Sequence, residues 1–155
     1  MFKSCLFCLT SLLLFQVFSL EQNDRSSIER IIQDYTDSWN LRGCVGFGDH
    51  YSDSADFVNI YGMKFTGKAE IENRHTIILK SFLKGSKLET VNTLMREVQP
   101  GLVVATVFWR CHGFRNPASD LNSIGEIREG VFTHILIRMN EKWEITASQN
   151  TLKAK

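Results

Sequence analysis

Two turn signals late in the chain constrain its fold more than any other feature. Pro100-Gly101 separates SKLETVNTLMREVQ from LVVATVFWRCHGF, and Asn140-Glu141 separates EIREGVFTHILIRM from KWEITASQNT. All four runs are rich in β-branched and aromatic residues, and runs of this kind joined by tight turns are β-hairpins. Four long strands therefore follow Gly85, and a sheet of that size must bury one face. The polar stretch RNPASDLNSIG between the hairpins reads as an exposed loop.

The covering for that face has to come from earlier in the chain. Ile28, Ile31, Ile32, Tyr35 and Trp39 recur at helical spacing behind Ser26 or Ser27 as a cap, with Glu29 in the first turn. Asn40 and Gly43 end that helix. CVGFGDHYSDSA is expected as a short second helix through Val45, Phe47 and Tyr51, although Gly46 and Gly48 each cost it about 1 kcal/mol relative to Ala. DFVNIYG, from Asp56 to Gly62, then reads as a strand, and MKFTG as a second, shorter one. GKAEIENRHTIILKSFLKG is the clearest helix. Ile71, His75, Ile78, Leu79 and Phe82 form its apolar stripe, Lys68, Glu72, Lys80 and Lys84 lie largely off it, and Gly85 closes it. Helices early and strands late give an α+β protein, with helices packed on the concave face of a curled antiparallel sheet. The mouth between the two layers is a natural small-molecule pocket.

Composition removes some alternatives. The 18 basic and 17 acidic residues nearly cancel and are scattered, so the basic footprint of a nucleic-acid binder is absent. The first residues do not suit the globule. MFKSCLFCLTSLLLFQVFS carries Lys3 ahead of an apolar run from Leu6 to Phe18, with Val17 and Ser19 as small residues for cleavage. That is the layout of a secretory signal peptide over residues 1–20, followed by one domain over 21–155 and a secreted or periplasmic location. A membrane span needs about 20 apolar residues, and Gln16 interrupts this shorter run. The exported chain would keep only Cys44 and Cys111, which could form one disulfide or remain two buried thiols.

Several stretches together resemble the nuclear-transport-factor-2-like superfamily, and within it the SnoaL-like and SgcJ/EcaC-type small proteins. They are SWN at 38–40, ADFVNIYG at 55–62, GKAEIENRH at 67–75, FLKGSKLE at 82–89, VVATVFW at 103–109 and WEITASQNT at 143–151. The resemblance implies a cone-shaped α+β barrel with a pocket, assembled as a homodimer through the outer sheet face. Superfamily members that resemble ketosteroid isomerase carry a general-base Asp near the position of Asn59. An amide accepts no proton near neutral pH, so that base is missing here.

The candidate catalytic residues are His75 and Asn59, and the candidate ligand-contacting residues are Tyr61, Trp109 and Gln149. Strand alternation puts Phe57, Asn59 and Tyr61 on one face. Asn59 either orients a ligand oxygen or satisfies neighbouring backbone. His75 sits on an apolar helix stripe, where a buried core histidine competes with a proton-transfer role suited to a pKa near 6.5. Trp109 shares a strand face with Val103, Ala105 and Val107. Gln149 shares one with Trp143, Ile145 and Ala147, with Asn150 opposite. His50, His75, His112 and His134 show no metal-ligand spacing, no GxSxG element occurs, and Gly43, Gly46 and Gly48 precede no Lys-Ser/Thr pair. No metal or cofactor is expected. The candidate functions are an exported pocket protein for a small, apolar carbonyl-type ligand, with or without isomerase- or cyclase-type acid–base turnover, and a non-catalytic homodimeric association domain.

Overall fold

The computed structural model of the protein describes residues 20–115 and 125–154. The signal-peptide expectation and most of the loop between the hairpins (116–124) fall outside the described residues. Element order is α1 (Gln22–Leu41), β1 (Tyr51–Val58), β2 (Lys64–Thr66), α2 (Lys68–Lys80), β3 (Lys87–Gln99), β4 (Leu102–Phe114), β5 (Glu126–Met139) and β6 (Lys142–Leu152). The strands form one six-stranded sheet in the order β2-β1-β6-β5-β4-β3. All neighbours are antiparallel except β1 with β6. The α+β architecture and both hairpins are as the sequence predicts. Asn140 and Glu141 both take positive φ, 47° and 64°, which is the two-residue turn whose twist matches the flanking strands.

The concave face carries the core. Val103, Ala105, Val107, Trp109 and Cys111 alternate inward along β4, and Phe132, His134 and Leu136 do so along β5. Ile28, Ile31, Ile32, Tyr35 and Trp39 of α1 are all buried over this sheet. The core is therefore one helix stripe of period 3.6 laid on strands of period 2. No helix among the described residues is long and apolar enough to cross a membrane.

Three local expectations are corrected. The segment after α1 is not a helix but a run of tight turns over 43–50, with successive backbone bonds such as Phe47 N–H to Cys44 O (3.2 Å) and Tyr51 N–H to Gly48 O (3.0 Å). Gly43, Cys44 and Gly46 take positive φ there, which no α-helix accommodates. The strand expected at Asp56–Gly62 starts at Tyr51 and ends at Val58, so Asn59, Ile60 and Tyr61 belong to the turn that follows. The third correction concerns β6. Leu136 pairs with Ile145 while its neighbour Ile135 pairs with Ala147, which leaves Thr146 as an extra, unpaired residue. A β-bulge of this kind shifts side-chain parity along the strand. After Thr146, Ser148 is buried and Asn150 half-buried, whereas Gln149 is exposed.

Candidate functional site: an apolar cavity with fixed donors

A cavity opens between α2, the end of α1 and the concave sheet. Phe57, Trp109, Phe114 and Phe132 line it from the sheet, and Trp39, Ile78, Phe82 and Leu83 from the helical side. Its volume is about 70 Å³, room for roughly five waters or for a single aromatic ring with a short substituent. The polar residues of the lining are Asn59, Tyr61, Arg74, His75, Cys111 and Asn150. Among the described residues no Asp or Glu lines it.

His75 reaches the cavity from the apolar stripe of α2 and is 5% exposed. Its Nδ1–H donates to Ile71 O one turn back (2.7 Å), which leaves Nε2 as the acceptor. The ring stacks on Phe47 with centroids 3.8 Å apart and meets the edge of Phe57 at 4.8 Å. Burial pushes its pKa down to about 4, against the Ile71 hydrogen bond, and the nearby Arg74 charge lowers it further. The imidazole is therefore neutral near pH 7, and no carboxylate pairs with it among the described residues.

Asn59 holds backbone and also lines the cavity. Its Oδ1 accepts the N–H groups of Tyr61 and Met63, each at 2.9 Å, and so clamps the turn from β1 to β2. Asn150 accepts from the Trp109 indole N–H at 3.0 Å. In both cases the facing group can only donate, so the amide orientation is fixed. Turning either amide over would set donor against donor. Each Nδ2 is thereby left as a donor with no protein partner among the described residues. The Trp109 indole lies flat across β5 at Gly130, where an added Cβ would sit 2.2 Å from Trp109 Cζ2. Only glycine permits that ring position.

The structure brings together four of the five residues expected from sequence. Asn59, Tyr61, His75 and Trp109 all line the cavity. Gln149 does not. It pairs with Val58 and Thr133 on the outer sheet face and donates to Asn150 O (3.1 Å). The expected convergence of Gln149 with Asn59 and His75 is thus replaced by that of Asn150. The bulge at Thr146 is the cause, and Ala147, which suits either face, gave no sign of it. Arg74 was also missed, although it lies three residues from Ile71 and four from Ile78, on the stripe itself. A charge on an apolar stripe is the signal that could have found it.

The cysteines do not add a nucleophile. Cys44 and Cys111 are buried free thiols, and burial raises their pKa values to about 12 and about 11. No group of three His, Cys, Asp or Glu side chains among the described residues is arranged to hold a metal ion.

No family model and no curated protein matches the chain. Solved structures do. A protein with a cystatin-like fold from Caulobacter vibrioides aligns with 84% of this chain and 89% of its own, at TM-score 0.74 and 24% identity. A cystatin-like domain from Nostoc punctiforme covers 87% and 80%, at TM-score 0.73 and 26% identity. The hexachlorocyclohexane dehydrochlorinase LinA-type3 from Novosphingobium barchaimii covers 85% and 88%, at TM-score 0.72 and 12% identity. The chain has the cystatin-like, nuclear-transport-factor-2-like fold, with a cavity at the place between helices and concave sheet where such a fold can hold a small molecule.

Proposed function

We propose that the protein is a SnoaL-like small-molecule-binding protein whose cavity takes a small, largely apolar ligand bearing a carbonyl-type oxygen. One observation supports this reading: Asn59 and Asn150 line an aromatic cavity, and their amide donors are oriented by the groups behind them and have no protein partner among the described residues. Such donors cost free energy unless a ligand or water accepts from them. His75 Nε2 is the complementary acceptor for a ligand hydroxyl. Among the described residues it is also the one candidate base, and an imidazole with a pKa near 4 is a weak one at neutral pH. The cavity is accordingly a binding site first. Isomerase- or cyclase-type turnover would rest on His75 alone.

Protein-observed NMR with neutral single-ring ketones, acetophenone first, tests the reading. Shifts concentrated on the indole N–H of Trp109 and the side-chain amides of Asn59 and Asn150 support it. Absence of binding by neutral and acidic ring compounds alike, or shifts confined to the outer sheet face, would refute it.

The same reading has residues 1–20 removed on export and the chain assembled as a homodimer through the outer sheet face. That face exposes Leu94, Phe108 and Ile135, an apolar surface of the kind that marks an interface. It equally favours the second reading, an association domain. N-terminal sequencing of exported protein tests the cleavage, and light scattering of Phe108→Glu tests the interface. A monomeric wild type would remove both the homodimer and the association domain.

A further inference from the structure

Among the described residues Arg74 is the one charged residue in the cavity lining, and it makes no ion pair with any of them. Its own helix offers two carboxylates, and both are used elsewhere. Glu70, at the usual i−4 pairing distance, accepts the Thr66 backbone N–H at 2.7 Å. Glu72 accepts the N–H groups of Gly46 and Gly48 at 3.1 and 3.3 Å. The Arg74 guanidinium instead rests over the Phe65 ring, 5.5 Å from its centroid, a contact that holds its plane without satisfying its donors.

A second guanidinium stands close by. Arg128 of β5 is in register with Cys111, a cavity-lining residue. It pairs with Glu126 at 2.8 Å, yet its Nε is sealed from solvent and has no hydrogen-bond partner. Both arginines lie near enough to Tyr61 to act electrostatically on its hydroxyl. Tyr61 is itself half-exposed at the edge of the cavity. The rim around Tyr61 is therefore cationic, while the cavity below it is aromatic and its amides are donors. Among the described residues, every uncommitted side-chain polar group there except His75 Nε2 and the Tyr61 hydroxyl can only donate.

We infer that the ligand is a carboxylate: a single-ring or short-chain acid with its apolar body between Phe57 and Trp109 and its carboxylate on Arg74 at the rim. This deepens the reading of the cavity as a ligand site and rests on it. A neutral carbonyl would leave the guanidinium unmatched, whereas a carboxylate fits its fork bidentately. Arg128 adds to the attraction without being the anchor, because Glu126 already holds it.

Calorimetric titration at pH 7 with trans-cinnamate and with cinnamamide, its neutral counterpart, tests this. The wild type should bind the acid about tenfold more tightly, the low end for charge-assisted hydrogen bonds at a partly open site. The advantage should shrink as salt is added. Arg74→Gln should abolish the advantage, and Arg74→Lys should keep part of it. Should Arg74→Gln fail to fold, Arg74→Lys and the salt dependence decide. Equal binding of acid and amide by the wild type, or an advantage that survives in Arg74→Gln, overturns the inference while the cavity reading stands. Binding of neither compound, or of acetophenone, overturns both.

Discussion

Acidification should destabilise this protein through two buried histidines well before its carboxylates titrate. His75 is held between Phe47 and Phe57. His134 lies in the core with Nδ1 2.6 Å from Ser148 Oγ and its ring stacked on Phe132. Burial pushes both pKa values down from 6.5 to about 4. The unfolded chain binds protons at these groups from pH 6.5 downward and the folded protein only near pH 4, so stability falls as pH drops through that window. Between pH 7 and 5 the loss is about 2 kcal/mol for each histidine, or about 4 kcal/mol for the pair if they act independently. Asp56 and Glu129 have depressed pKa values, Asp56 through hydrogen bonds from Lys64 and Thr66 and Glu129 through Lys153 and Arg110. Both are half-exposed, and their contribution is lost as pH falls from the ordinary carboxylate range downward. Equilibrium urea unfolding at pH 7 and pH 5 measures the difference. His75→Phe and His134→Phe should each remove about half of the pH dependence. Equal stability of the wild type at the two pH values would refute the reasoning, as would an unchanged slope in both variants.

Gly130→Ala forces Trp109 off the β5 strand, because the new Cβ would meet the indole at 2.2 Å. It should cost about 1–3 kcal/mol and weaken acetophenone binding, read by chemical denaturation and NMR titration. Asn59 can be divided into its two roles by paired substitutions. Asn59→Ala should lose about 1 kcal/mol as the two turn hydrogen bonds go, whereas Asn59→Asp keeps the acceptor and the stability but loses the Nδ2 donor and with it ligand affinity. Cys44 and Cys111 should resist alkylation at pH 8 in the folded protein and react once it is unfolded in urea, since burial keeps both thiols protonated. Peptide mapping by mass spectrometry would locate the label.

The sheet was legible because its signals are local. Pro100-Gly101 and Asn140-Glu141 mark the hairpins, and the alternation along β4 places Trp109 inward as expected. What remained hidden depended on the chain leaving its regular period. Val45, Phe47 and Tyr51 suggest a helix, yet the positive φ values at Gly43, Cys44 and Gly46 turn the chain instead, and Phe47 is buried against His75 by tertiary packing. The single extra residue at Thr146 exchanges Gln149 for Asn150 in the cavity. A bulge has no propensity signature when its neighbours, here Ile145 and Ala147, are compatible with either register.

That exchange matters chemically. Side by side on β6, Gln149 and Asn150 carry the same functional group, but only the inward one meets the Trp109 N–H, and that contact makes it a donor to the cavity. Asn59 is turned into a donor by two backbone N–H groups, and His75 into an acceptor by the Ile71 carbonyl. The polarity of the site is thus decided one shell behind it, by groups that never touch a ligand. Among the described residues no carboxylate lines the cavity. That leaves a neutral imidazole and an excess of donors, an arrangement better suited to holding an oxygen-rich ligand than to taking a proton from one.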